Sequence, residues 1–406
     1  MTTTLVEVAA YLPRRRVPIE ELALGLTPTQ VRVLRRFNGL GEVRRQRPGE
    51  ELIDLLAGAA EALTSLRGRE HLVRYVLHAR GVPVVAPYPV NPVHELRDLL
   101  GLEHAAAFAV THHACASALL AIDLAGRLLA GDPDGLALVV AGEQVFTQDE
   151  RLAPDHRVFG EGAGACLVSA GGPGDVLLSY VADQHGDLDH WGDDGPGAMD
   201  RFAREYTDLM GDVLLTAVKQ ANLCLDDIAL VLPHNVNVVS WRRICRRIGL
   251  PVDRVLLDNV PLVGHTPSAD TFINHASAVA LGRLAPGDRY LTAGAGFGAV
   301  FSAMVFAHQG SGHMATTELT RFRTRVVGTL GVLLGELLGR DLPDLSEATR
   351  LFDELGLSSS KTLELLLSLE DELDIDVDVD DIDRGDLASL GSLADFVVAH
   401  ADGGVP

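Results

Sequence analysis

Cys115 lies in Thr111-His112-His113-Ala114-Cys115-Ala116-Ser117-Ala118-Leu119-Leu120, between a strand-like run (106–111) and a helix-like run rich in Ala and Leu. A cysteine at a helix start faces unpaired N–H groups and the positive end of the dipole. Both favour the thiolate, the form that attacks acyl groups. The other reading is a buried structural thiol, a common state for cysteine. His234 follows a second apolar run, 228–232, and His265 stands in Val263-Gly264-His265-Thr266-Pro267-Ser268-Ala269-Asp270. An imidazole can donate to a developing oxyanion or act as a general base, and Asp270 is five residues on, able to orient one. A histidine after a strand is otherwise a satisfied loop residue. Near the C-terminus, Ser359 sits among Leu357-Ser358-Ser359-Ser360-Lys361 at the start of another helix-like run, either as a helix cap or as a modification site.

These residues need elements to hold them. Strand-like runs at 106–111, 136–141, 228–232 and 290–293 alternate with helix-like ones such as 116–129, an α/β pattern in which two halves, about 1–168 and 169–307, have similar content. Gly and Ser interrupt the pattern at 308–313, which reads as a short linker. Residues 314–406 then form a separate helical module. Its spacing predicts an amphipathic helix over 318–338 and a second over 359–373, with Leu363, Leu366, Leu367, Leu369 and Leu373 largely on one face.

Composition narrows the function. The chain has 406 residues, room for two or three domains, and carries a net charge of −22. That charge argues against nucleic acid, whose binding depends on Lys and Arg. Residues 314–406 hold 20 acidic and 7 basic side chains, more than half of the excess. Arg242, Arg243, Arg246 and Arg247 form the strongest basic group, on a helix-like stretch after His234, suited to an acidic carrier or a coenzyme phosphate and equally to a solvated face. Four scattered cysteines are expected to be reduced thiols, and no uninterrupted apolar run of about 18 residues or more and no leader pattern is seen. A cytoplasmic protein without metal or membrane association is expected.

Together the motifs carry a resemblance. Ala114-Cys115-Ala116, Phe159-Gly160-Glu161-Gly162-Ala163-Gly164-Ala165, Leu232-Pro233-His234-Asn235-Val236-Asn237 and Gly296-Phe297-Gly298-Ala299 follow the order and spacing of the ketoacyl-ACP synthase III family of thiolase-fold condensing enzymes. Ser117 stands where that family has glycine, and His265 where it has asparagine. The resemblance implies an αβαβα layered fold with duplicated halves over 1–307, a homodimer, and a Cys115, His234, His265 catalytic set. Asp270, Asn237 and Gly298 are supporting candidates. The backbone N–H of Cys115 and one from the 296–298 loop would form an oxyanion hole. Residues 314–406 resemble an acyl carrier protein, which implies a small helical bundle with 4'-phosphopantetheine on Ser359, added by a phosphopantetheinyl transferase. Acyl-CoA or acyl-carrier thioesters are the implied substrates, with other carrier proteins or biosynthetic enzymes as further partners. Two chemistries stay open: condensation of an acyl-Cys115 with a malonyl-type unit in polyketide or other specialised metabolism, and plain acyl transfer to an O, N or S nucleophile. A non-catalytic carrier scaffold is the third alternative.

Overall fold

The computed structural model describes the chain except residues 1, 23–24, 83–84, 87–88, 145–157, 189–195, 297–298, 311–314, 341, 343–344, 348, 374, 378–381, 383–384 and 403–406. It divides into two compact units, Met1–Gly312 and His313–Pro406.

The first unit is built twice from one plan. Its first half runs β1 (Thr4–Tyr11), α1 (Leu52–Glu61), β2 (Val73–Ala79), α2 (Pro92–Leu99), β3 (Ala106–Val110), α3 (Ser117–Leu128), β4 (Leu136–Glu143) and β5 (Gly162–Ser169). The second runs β6 (Asp175–Gln184), α4 (Pro196–Gln220), β7 (Ile228–Leu232), α5 (Val238–Ile248), a single bridge at Val255, α6 (Asp270–Ala280), β8 (Arg289–Gly296) and β9 (Val300–Ala307). The strands join in the order β3-β2-β4-β5-β1-β6-β9-β8-β7. Reading outward from the centre, each half pairs antiparallel, antiparallel, then parallel, and the Val255 bridge to Val231 stands where β3 stands in the first half. The sheet crosses from one half to the other where Thr4 and Leu5 pair with Val176 and Asp175.

Strand periodicity explains the layers. In β4 all eight residues are buried, as expected for a strand covered on both faces, and they alternate between two cores. Ala137, Val139 and Ala141 join α3 and α6 in a central core that also takes Leu230 and Tyr290 from the second half. Leu138 and Val140 face α1 and α2 instead. In the second half Leu291, Ala293 and Ala303 pack on α4 and α5. The result is five layers, with α3 and α6 in the middle.

Close approach in that middle layer is permitted by glycine. A Cβ on Gly164 of β5 would stand 2.3 Å from the Phe272 Cβ of α6, well inside contact distance. At the end of the unit, Asp175 accepts hydrogen bonds from His308 Nδ1 at 2.8 Å and from the Gln309 N–H at 3.2 Å. These bonds pin the first two residues of the expected linker to the first unit, so any linker begins after them.

The second unit packs α7 (Ala315–Leu338), α8 (Ser359–Leu373) and α9 (Leu390–His400) around one core. Leu330, Leu334, Leu366, Leu369, Leu393 and Val397 meet there. Leu367, expected on the same face, is instead 56% exposed. Arg323 of α7 bridges Glu347 and Asp395.

Gly164→Ala is expected to lower the stability of the first unit by about 1–3 kcal/mol, the usual cost of overpacking a well-filled core. A fall in the denaturant midpoint at unchanged slope would show it.

Candidate active site

The chain before Cys115 makes a tight turn. Ala114 has φ 44°, a left-handed value uncommon for a residue with a side chain, and a short 3-10 turn, Ala114–Ala116, leads into α3. The end of β8 passes against this turn: a Cβ on Gly296 would lie 2.1 Å from the His113 carbonyl oxygen, so only glycine fits. Ser117, in place of the family's glycine, donates its hydroxyl to the Thr111 carbonyl at 2.9 Å and ties the turn shut. The sulfur of Cys115 is therefore fixed at the N-terminal end of the central helix α3.

His265 is held by a backbone clasp. Its N–H donates to the Val158 carbonyl at 2.9 Å, and its carbonyl accepts from the Gly160 N–H at 2.8 Å. Two glycines make this possible: a Cβ on Gly160 would lie 2.0 Å from the Val263 carbonyl, and Gly264 adopts φ 78°. The Phe159 ring packs against the imidazole at 5.3 Å between centroids.

The clasp aims His265 between two groups. Its Nε2 is 3.3 Å from Cys115 Sγ and its Nδ1 is 2.5 Å from Asp270 Oδ2. Cys115, His265 and Asp270 are all buried. Asp270 opens α6, where the helix dipole favours a carboxylate. Besides His265, it accepts from the Asn235 N–H (2.6 Å), Asn235 Nδ2 (3.2 Å), the Thr266 N–H (2.8 Å) and the Thr266 hydroxyl (2.6 Å). Behind it, Asn274 donates to Asn235 Oδ1 and the Pro233 carbonyl, and Asn259 donates to Asn274. Burial alone would pull the His265 pKa down, but the Asp270 carboxylate, followed by Cys115, overcomes it and lifts it to about 10. A proton held there can be taken from a thiol and returned to a leaving group.

His234 emerges after β7, as expected, but turns elsewhere. Its Nδ1 accepts from the Ala295 N–H at 3.1 Å, which leaves the ring proton of the neutral imidazole on Nε2, and Nε2 lies 2.6 Å from the Tyr206 hydroxyl. It neighbours His265, with ring centroids 6.0 Å apart. This wiring makes His234 a hydrogen-bond donor and unsuited to general base. Asn237, expected to support the site, caps α5, accepting from the Ser240 N–H at 2.7 Å. Gly298 lies outside the described residues.

Several residues of the site escaped the sequence reading. Tyr206 sits on a helix whose sequence shows only amphipathic spacing. Asn235 and Thr266 adjoin the histidines. Glu143 ends the apolar run of β4, a visible signal of a buried charge. It is 6% exposed, accepts from the Gly81 N–H, and meets Ser268 Oγ at 3.3 Å, which is also 3.3 Å from the Ala114 carbonyl. Burial lifts its carboxyl to about 7, only partly offset by Gly81, Ser268, His265 and Arg80.

In the second unit Ser359 is the first residue of α8. The neighbouring Ser358 does the capping: its Oγ accepts from the Lys361 N–H at 3.4 Å and its carbonyl from the Thr362 N–H at 2.9 Å.

The mirrored sheet around a central helix pair is the layered fold of the thiolase-type condensing enzymes. It superposes on ChlB3, an acyltransferase by name, with a TM-score of 0.66 at 21% identity over 76% of this chain and 98% of that one. The priming β-ketosynthase of the R1128 polyketide pathway gives 0.64 at 20% identity, covering 76% and 96%. In sequence, a β-ketoacyl-ACP synthase III of Streptomyces coelicolor is 28% identical over 320 residues, 75% of this chain and 93% of the relative. Residues 218–308 match the C-terminal domain of 3-oxoacyl-ACP synthase III, and residues 329–397 match the phosphopantetheine attachment site domain. The chain therefore joins a synthase III C-terminal domain to a phosphopantetheine-attachment domain, whose prosthetic group is covalent 4'-phosphopantetheine.

Asp270→Asn is expected to bring the His265 pKa down from about 10 toward its ordinary 6.5, visible as a shifted NMR titration of the imidazole. Glu143 gives a second test. A carboxyl lifted from 4.5 to about 7 keeps its proton in the fold after the unfolded chain has released it. Stability is therefore lost as pH rises from 4.5 to 7 and stays lower above. Glu143→Gln removes that penalty, so its Tm relative to the parent should be more favourable at pH 8 than at pH 4.5.

Proposed function

We propose that this chain is an acyltransferase that carries an acyl group on Cys115 and passes it, without decarboxylation, to an oxygen, nitrogen or sulfur nucleophile. The observation that supports this most is the buried Cys115, His265, Asp270 line, with contacts of 3.3 and 2.5 Å. Condensation, the first expectation from the family resemblance, needs imidazoles that donate to an enolate. His265 is instead committed on one side to the Cys115 sulfur and on the other to a carboxylate, the logic of a nucleophile-base-acid triad.

In the first half-reaction the Cys115 proton is already held on His265 Nε2, whose pKa is lifted to about 10, and the thiolate attacks the thioester carbonyl. The Cys115 backbone N–H, at the start of α3, supports the developing oxyanion. Collapse breaks the donor's C–S bond, and the imidazolium gives its proton to the departing thiol. In the second half-reaction the acceptor loses its proton to His265 as it attacks acyl-Cys115, and the Cys115 thiolate leaves. Asp270 stabilises the imidazolium at each stage. Acyl-CoA or an acyl-carrier thioester is the donor class. The phosphopantetheine of the second unit, once attached by a phosphopantetheinyl transferase, supplies a thiol that holds acyl groups as thioesters. The basic face of α5, where Arg242, Arg243 and Arg246 are exposed, suits an acidic carrier.

The test offers acetyl-CoA with N-acetylcysteamine as acceptor thiol, in the presence and absence of malonyl-CoA. Expected are acetyl-Cys115 by intact mass and acetyl-N-acetylcysteamine as product. Both should vanish in Cys115→Ala, and turnover should fall by at least 100-fold in His265→Ala. A β-ketoacyl product formed with CO2 release would show condensation and refute the reading.

A further inference from the structure

The geometry points to Tyr206 as the residue that decides between acyl transfer and decarboxylation, by occupying the hydrogen-bond donor of His234 that an enolate would need. This inference rests on the acyl-transfer reading and explains how a condensing-enzyme scaffold would be confined to it.

The His234 imidazole is 2% exposed and locked at both ends, with Nδ1 accepting from the Ala295 N–H and Nε2 facing Tyr206 Oη at 2.6 Å. A buried Nε2–H, on a ring 6.0 Å from that of His265, is a strong donor for an oxygen that gains charge, because little water competes for it. Here the tyrosine hydroxyl holds the position such an oxygen would take.

The hydroxyl is held there by more than this bond. The Tyr206 ring packs at 5.7 Å from Phe202 and 5.8 Å from Phe301, and edge-on to His234 at 6.2 Å. The main chain beyond His234 is braced too, since Trp241 Nε1 donates to the His234 carbonyl at 3.0 Å. Tyr206 also lines a cavity of about 310 Å³ together with Phe202, Thr207, Asn237, Ser240 and Arg243.

The chemistry at stake is simple. In a malonyl thioester the bond to the carboxylate carbon breaks, CO2 leaves, and the electron pair moves to the thioester oxygen as an enolate. Protonation from water then gives the acetyl thioester. The enolate oxygen needs a donor such as His234 Nε2–H, and a tyrosine hydroxyl that already accepts this proton keeps it away. Tyr206 is thus a positioning residue, acting through His234.

The experiment compares the full-length parent with Tyr206→Phe, which keeps the ring among Phe202 and Phe301 and removes only the hydroxyl. Malonyl-CoA is the probe, and CO2 and acetyl-CoA are the readouts. Cys115 acetylation by acetyl-CoA is followed in the same samples. Expected is background decarboxylation in the parent and at least a tenfold increase in Tyr206→Phe, abolished when His234→Ala is added. If the parent acetylates Cys115 and Tyr206→Phe folds but decarboxylates no faster, the inference is overturned while acyl transfer stands. If the parent itself releases CO2 without forming a β-ketoacyl product, the inference is also overturned. A parent that forms the β-ketoacyl product overturns the acyl-transfer reading. Should Tyr206→Phe fail to fold, Tyr206→Ala is read by the same criteria, beside the parent result that needs no variant.

Discussion

The buried carboxylate of Asp270 is the constraint on which the site depends. An ionised group taken out of water must be surrounded by donors, and removing one partner of such a buried pair costs about 3–5 kcal/mol. Its five donors come from the segment after β7, from the 265–266 loop and from backbone next to both. Satisfying one carboxylate therefore sets the relative positions of β7, the His265 loop and α6. The asparagine chain behind it, Asn235, Asn274 and Asn259, extends the same requirement into the core.

The duplicated architecture supplies the other half of the geometry. Because each half inserts one helix into the middle layer, α3 and α6 bring their N-terminal ends to the same place, one bearing Cys115 and the other Asp270. Both positive helix ends face the thiol and carboxylate chemistry that benefits from them. The backbone is strained or stripped of side chains where the pieces close: Ala114 at φ 44°, Gly160 under the Val263 carbonyl, Gly296 against His113. At Gly160 and Gly296 a side chain would displace the Cys115 sulfur or the His265 imidazole.

Much of this was legible in the sequence, for physical reasons. The α/β alternation, the acidic helical module and the helix-start placement of Cys115 follow from periodicity and composition, and the Gly-rich motif around Gly160 carried part of the family resemblance. What stayed hidden depends on tertiary direction. Nothing local says that Asn237 would cap a helix, that Leu367 would face solvent, or that Tyr206, 28 residues before His234, would reach its ring nitrogen. The pairing of His265 with Asp270 was open in the sequence as an alternative, since a five-residue separation fixes no contact until the loop clasp with Val158 and Gly160 turns the imidazole inward. His308 shows the reverse effect: a position that reads as linker is 4% exposed because Asp175 is waiting for it.

The central claim is that His265, held by Asp270, makes Cys115 a nucleophile. Its most direct test is the rate at which iodoacetamide alkylates Cys115 at neutral pH, followed by peptide mass spectrometry so that Cys166, Cys224 and Cys245 serve as internal references. Cys115 is expected to react at least tenfold more slowly in His265→Ala than in the parent, while the reference cysteines keep their rates. Equal Cys115 rates in the two proteins would contradict it.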